Sequence, residues 1–354
     1  MNNKRLLILP RYTAKGPSSR VRFYQYLPYL AEAGFSFDVR PFFSDAYIDA
    51  LFKRHPRNIL GIISSYFQRI FTILKSGRYD LVWMQYELLP FIPYCFENIF
   101  LSGRTKLVVD YDDAVFYRYN QHSNRAVRKI LGGKISKIMR SAHIVVAGNQ
   151  YIADYAKKSG AERATILPSA VDTKRYQIAK KQTGPVIRIG WIGTPGTVKY
   201  LESLRPIFER CLSEKMKLVI VGSDTPDTLH GLPIENISWR ENSEVQSIQS
   251  FDIGIMPLTD SPFERGKCGY KLIQYMACGI PVIASPVGLN TEIVDHGKNG
   301  FLVSNELEWV DALTKLKEDS GLRQYMGQNG RKLVEEKYSL QVCSPKLITL
   351  LKRL

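Results

Sequence analysis

Short apolar runs recur along the chain, separated by stretches with helical spacing. RLLILP reads as a short strand with no polar face. SRVRFYQYLPYLAEAG then has helical spacing and stops at Gly34, a natural residue just past a helix end. FSFDVRP, YDLVWMQ, TKLVVDY, HIVVAG and ATILPS read as further strands. NRAVRKILGGKISKIMRSA reads as one basic amphipathic helix with Val127, Ile130, Leu131, Ile135 and Ile138 on one side. Strands without in–out alternation are buried on both faces, so a parallel sheet covered by helices is predicted.

The polar stretch YQIAKKQTGPV interrupts this pattern as a linker, and the alternation then restarts. VIRIGWIG, MKLVIVG, ENISW, FDIGIMP, IPVIAS and GFLVS supply a second set of strands. The expected organisation is two doubly wound α/β domains, residues 1–178 and 179–338. A last helix, 339–354, is expected to return to the first domain. Ligands of such sheets bind beyond the carboxyl ends of the strands, so a cleft between the halves is the expected site.

Composition narrows the class. At 354 residues and 45% hydrophobic, the chain can fill two cores, which excludes disorder. The apolar part of MNNKRLLILP is too short for a signal peptide. Residues 59–74 are interrupted by Ser64, Ser65, Gln68 and Arg69, so a membrane span is not expected there. Five cysteines without CxxC spacing fit a reducing compartment and argue against structural zinc. A cytoplasmic location is therefore expected.

Charge adds a partner. Residues 1–180 hold 28 Lys+Arg against 13 Asp+Glu, and residues 181–354 hold 21 against 20, so the first half carries nearly all of the net +16. Such an imbalance points to an anionic partner or to a solvated basic face. Between Asp49 and Asp80 there is no acid, while Lys53, Arg54, Arg57, Arg69, Lys75 and Arg78 accompany many apolar residues. Two readings stay open for that segment: a crossover helix packed on the sheet, or a peripheral helix on an anionic membrane face.

The candidate chemistry sits at strand ends. After the first strand, Gly16 and Pro17 break the chain, and Ser18 or Ser19 is placed to cap the next helix. In GWIGTPGTVKYL, Gly190, Gly193 and Gly196 would let backbone amides approach a phosphate, although the spacing is not that of a dinucleotide fingerprint. In RGKCGYKLIQYMACG, Arg265, Lys267 and Lys271 surround Gly266 and Gly269 at a predicted helix start. With the amides of Cys268, Gly269 and Tyr270, and with Lys199, they would hold a diphosphate without a metal. Asp110, Asp112 and Asp113 end another strand. They suit a divalent cation by type, but they also suit acceptor hydroxyls, positive charge on a sugar, or a helix cap. The five histidines show no metal-binding spacing. Trp239 is either a wall for a nucleotide base or a core residue.

The stretch RGKCGYKLIQYMACGIPVIASPVGLNTEIV, together with WIGTPGTVKYL and ILPSAVDTKRY, resembles glycosyltransferase family 4 of the GT-B fold, and the resemblance runs over most of the chain. It implies two Rossmann-like domains facing a central cleft and retaining transfer from a nucleoside-diphosphate sugar, with no essential metal and no cofactor. The acceptor expected is a glycan or lipid-linked molecule of cell-surface polysaccharide synthesis, with an anionic membrane surface as a further partner and no nucleic acid. The two glutamates that such enzymes often carry eight positions apart before MACG are here Gly266 and Gln274, and an arginine common after Gly193 is Thr194. A histidine common in the first half is replaced by the DYDD acids, and Glu292 matches a common glutamate but is not assigned a catalytic role. Asp112, Asp113, Glu264 and Lys271 are the expected catalytic residues. The expected donor-binding residues are Gly16, Gly193, Thr194, Lys199, Trp239, Arg265, Lys267, Cys268, Gly269, Tyr270 and Gln274, with Gln274 on the ribose. A nucleotide-sugar epimerase of the same fold and a basic nucleic-acid-binding protein are the alternatives.

Overall fold

The inner strands of both sheets are apolar because their side chains are covered on both faces, while the edge strands Ser36–Val39, Ala164–Ile166 and Ile234–Ile237 are partly exposed. The computed structural model describes residues 4–53, 55–101, 105–178 and 184–354. In the first sheet, β1 (Arg5–Leu9), β2 (Ser36–Val39), β3 (Leu81–Gln85), β4 (Lys106–Tyr111), β5 (Ile144–Ala147) and β6 (Ala164–Ile166) lie in the order β2-β1-β3-β4-β5-β6. In the second, β7 (Ile187–Ile192), β8 (Met216–Val221), β9 (Ile234–Ile237), β10 (Ile253–Met256), β11 (Val282–Ala284) and β12 (Gly300–Leu302) lie in the order β12-β11-β10-β7-β8-β9. Every neighbouring pair is parallel. Both sheets are thus doubly wound α/β sheets, as the pattern predicts.

The chain divides into two compact units. The first comprises Met1–Ser169, Gly266–Cys268 and Cys343–Leu354, and the second Ala170–Arg265 and Gly269–Val342. The boundary read from the linker, 178/179, borders residues 179–183, which lie outside the described residues. Residues 170–178 pack with the second unit: Val171 pairs with Ser339, and Arg331 donates to the carbonyls of Thr173 and Tyr176. Composition marks where the chain turns polar, whereas these contacts come from residues more than 150 positions away.

The basic helix expected over 124–142 is two helices, Arg125–Leu131 and Lys134–Ser141, separated by Gly132 and Gly133. The glycines weaken helix continuation, and the break turns Lys134 inward. Its ammonium meets Glu87 at 2.7 Å, Glu97 at 2.8 Å and the Leu89 carbonyl at 2.6 Å. A lysine can be buried this fully only because two carboxylates and a carbonyl take its three protons.

A second buried charge pair fixes the first helix to the sheet. Arg22, from helix Pro17–Arg22, donates Nε and Nη2 to Asp110 of β4 at 2.7 and 3.1 Å, and Nη1 to the Leu167 carbonyl at 2.7 Å. Both side chains are inaccessible to solvent. Burial pushes the Asp110 carboxyl up to about 6, against the pull of Arg22. Folding therefore favours the protonated carboxyl: this contribution is complete below the unfolded value near 3.8 and fades as pH rises through about 6. Arg22→Met leaves Asp110 without its partner, and we expect a loss of about 3–5 kcal/mol at neutral pH. The loss should shrink at pH 5, where the lone carboxyl takes a proton. Urea denaturation at pH 5 and pH 8 checks both the size and the sign.

Candidate active site

In each sheet the strand order reverses once, between β1 and β3 and between β7 and β10. Loops leave these strand pairs in opposite directions, so polar groups gather there. Most of the residues singled out from sequence lie at these two places.

In the first unit, Gln85 at the end of β3 organises the loop after β1. Its Oε1 accepts from the Arg11 amide at 2.9 Å and from Ser19 Oγ at 2.6 Å, and its Nε2 donates to Ser18 Oγ at 2.7 Å. Neither serine caps the helix as expected: Gly16 is the N-cap residue, and the helix has no side-chain cap. Ser18 instead donates to Asp112 Oδ2 at 2.5 Å, and the Tyr86 hydroxyl donates to Oδ1. Tyr86 has φ 62°, a left-handed conformation that a bulky residue adopts only under constraint. Tyr111 supplies part of that constraint by donating its hydroxyl to the Tyr86 carbonyl at 2.7 Å. Asp112 and Asp113 are half-buried, whereas Asp110 is taken up by Arg22 in the interior. Among the described residues, no group of three His, Cys, Asp or Glu side chains is placed to hold a metal ion.

Gly266, Lys267 and Cys268 pack with this first unit, although the sequence reading grouped them with the donor side. Asn149, just beyond β5, donates Nδ2 to the Gly266 carbonyl at 2.8 Å and to the Lys267 carbonyl at 3.2 Å. The Cys268 thiol donates to the Asp112 carbonyl at 2.9 Å. Burial, reinforced by the Asp112 charge, pushes that thiol well above its ordinary range, so it stays protonated.

In the second unit, Trp191 of β7 is a platform. A Cβ on Gly193 would lie 2.4 Å from the indole ring, so only glycine lets the turn cross it. Lys271 Nζ lies over the same indole, 5.2 Å from its centre. Lys271 is the second residue of helix Tyr270–Ala277, whose N-cap Gly269 has φ 60° and sits against Ile293 with no room for a side chain. The turn after Gly193 is closed by Thr197, whose amide and Oγ donate to the Thr194 carbonyl at 2.9 and 3.0 Å. Glu264 is buried and accepts from the Tyr200 hydroxyl at 2.6 Å and from Ser261 Oγ. Lys199 Nζ lies 5.3 Å from the centre of the Tyr200 ring. The loops after β7 and β10 thus bring Lys199 and Glu264 to one tyrosine, and Gly193 and Lys271 to one tryptophan.

The other expected donor residues have different surroundings. Arg265 pairs with Asp260 at 2.6 and 2.9 Å on the surface. Tyr270 is half-buried at the helix start. Gln274, expected on the ribose, is buried and donates Nε2 to the Tyr176 hydroxyl at 3.0 Å. Tyr176 donates in turn to Glu244, which also accepts from Trp239 Nε1 at 2.7 Å. Gln274 and Trp239 therefore share one buried carboxylate network. Trp191, Tyr200, Ser261, Tyr86, Gln85 and Asn149 were not foreseen. Only Asn149 carried a local signal, as an Asn between an apolar strand and a helical pattern.

Each unit is a Rossmann-like domain, and two such domains in one chain define the GT-B class. The sucrose-phosphate synthase of Thermosynechococcus elongatus matches over 99% of both chains with a TM-score of 0.75 at 16% identity. HepE of Anabaena, solved in complex with UDP-glucose, matches over 99% of this chain and 100% of its own with a TM-score of 0.70 at 17% identity. In sequence, a probable sucrose-phosphate synthase of Thermosipho melanesiensis is 23% identical over 312 residues, 80% of this chain and 70% of that one. Residues 186–319 match the family Glycosyl transferases group 1. The chain is a glycosyltransferase, and its match to this group lies within residues 186–319.

Asn149 has two separable jobs. Its Oδ1 caps helix Gln150–Lys158 by accepting from the Ile152 amide at 2.9 Å, while its Nδ2 holds the 266–267 carbonyls. Asn149→Asp keeps the cap and turns the donor into a repelling acceptor. We expect faster amide hydrogen exchange at residues 266–270, with protection of the 150–158 helix unchanged.

Proposed function

We propose that this chain transfers a sugar, with retention of configuration, from a nucleoside-diphosphate sugar to a glycan or lipid-linked acceptor in cell-surface polysaccharide synthesis. One observation carries the donor reading. Two cations, a glycine turn and a helix start are gathered at the strand-order reversal of the second unit, on one tryptophan and one tyrosine. A departing nucleoside diphosphate gains negative charge as the sugar bond breaks. Lys199, Lys271 and the amides at the start of helix Tyr270–Ala277 are fixed donors for that charge. Glu264, held by Tyr200 and Ser261, is the carboxylate we assign to the hydroxyls of the donor sugar. The complex of HepE with UDP-glucose makes a UDP-sugar the first donor to test.

In the first unit, Asp112 is held by Ser18 and Tyr86 with Asp113 beside it, which suits hydrogen bonds from acceptor hydroxyls or the steadying of positive charge on the sugar. We assign the basic excess of the first half to an acceptor bearing phosphate or acid groups. An epimerase on the same fold would use the same donor groups. Release of free nucleoside diphosphate only in the presence of acceptor favours the transferase.

The donor charge comes from lysines and amides, so UDP should raise the melting temperature equally with and without EDTA. Stabilisation that vanishes with the chelator would count against the reading. A hydrogen bond to a charged group contributes about 1.5–3 kcal/mol. Lys271→Ala should therefore lower turnover roughly ten- to a hundredfold, at ~1.4 kcal/mol per decade. Its melting temperature should stay near that of the parent, because Lys271 is only half-buried at a helix start. Near-normal turnover at saturating donor would remove Lys271 from the leaving-group site.

A further inference from the structure

We infer that the helix Ile59–Leu74 of the first unit is a docking surface for an anionic lipid bilayer. The inference deepens the proposed function, since a lipid-linked acceptor is presented at such a surface. An apolar stripe on a crossover helix normally packs on the sheet, and here it does not. Ile59 is 70% exposed, Leu60 77%, Ile63 46%, Phe67 58%, Phe71 62% and Leu74 64%. At 3.6 residues per turn these six positions fall within an arc of about 120°. They run the length of a helix of 16 residues, about 24 Å. The buried residues of the helix are Arg69, which donates to the Pro10 carbonyl at 3.1 Å, and Ile73. Tyr66 donates to the Pro90 carbonyl at 2.5 Å, and Phe91 just beyond is itself 49% exposed. A continuous apolar strip of this length on one surface marks an interaction site.

Charge selects the occupant. No acid lies between Asp49 and Asp80. Lys53 and Arg57 flank the helix start and Lys75 follows its end, all three exposed. Arg78, also exposed, keeps a 3.7 Å contact with Asp38, and Arg54 lies outside the described residues. A second copy of the chain packed on this helix would bring like charges together, with no carboxylate on the helix to meet them. An anionic bilayer accepts both features at once: the apolar face enters the acyl boundary and the cations meet lipid phosphates. Among the described residues no helix is long and apolar enough to cross a membrane, so the contact is peripheral.

The test uses the full chain in vesicle flotation, with phosphatidylcholine alone and with added phosphatidylglycerol. The parent should float only with the anionic vesicles, and less at high salt. Phe67→Ser combined with Phe71→Ser should lower the partition coefficient at least about tenfold, since each phenylalanine loses its burial. Arg57→Ser and Lys75→Ser should each lower it about fivefold, the loss expected for one juxtamembrane cation. Equal flotation of the parent and the phenylalanine variant would overturn the inference, as would equal binding to neutral vesicles. A parent dimer that the phenylalanine variant abolishes, without flotation, would make the stripe a self-association face and overturn it too. UDP stabilisation, measured on the same samples, should be unchanged in every variant. Its absence in a parent that still floats would count against the donor reading alone.

Discussion

Among the described residues the strands of both sheets pair in parallel throughout, and that constraint decides where chemistry can occur. Crossover helices cover both faces of a parallel sheet, so its side chains must be apolar or paired. All carboxyl ends of a sheet then lie along one edge, and a crevice opens where the strand order reverses. Ser18, Gln85, Tyr86 and Asp112 sit at that edge of the first sheet, and Gly193, Ser261 and Glu264 at that of the second. The buried aspartate of β4, Asp110, is viable there because Arg22 satisfies both of its oxygens.

A single device recurs around these edges: a buried tyrosine hydroxyl donates to a carboxylate. Tyr86 holds Asp112, Tyr119 holds Glu87, Tyr176 holds Glu244 and Tyr200 holds Glu264. Burial, together with the nearby acid, pushes Tyr86, Tyr119 and Tyr176 above their ordinary range. They therefore remain protonated and can only donate toward the acid. A phenol is rigid, with two side-chain torsions, so the carboxylate it holds is fixed in direction at little cost in entropy. Preorganisation of this kind is what a site needs if its groups are to act on charge that develops only during reaction.

All six strands of each sheet were legible in the sequence: the inner strands are buried and leave apolar runs, and the half-exposed edge strands β2, β6 and β9 are shorter and more polar but recur in the same alternation. The resemblance of the RGKCGYKL stretch to glycosyltransferases placed the class correctly. Less visible were contacts between distant positions. Nothing near Gly266 announces that its carbonyl is held by Asn149, 117 residues earlier. Gln274 looked like a ligand-facing amide because it follows the lysine helix start, yet it lies on the buried face of that helix, bonded to Tyr176. The glycine pair at 132–133 was present in the sequence, but only the structure shows that the break aims Lys134 at Glu87 and Glu97.

The helix Ile59–Leu74 shows why pattern alone could not separate packing from docking. Its periodicity is that of any amphipathic helix, and both readings require an apolar stripe. What distinguishes them is which face turns inward. Here Arg69 and Ile73 face the interior, while Phe67 and Phe71 face solvent. Burying Arg69 requires taking a charge from water, met by the Pro10 carbonyl and the face of Phe42, whose ring centre lies 5.4 Å from its guanidinium carbon. The orientation adopted leaves this apolar stripe uncovered on the first unit, and the proposed bilayer contact rests on that exposure.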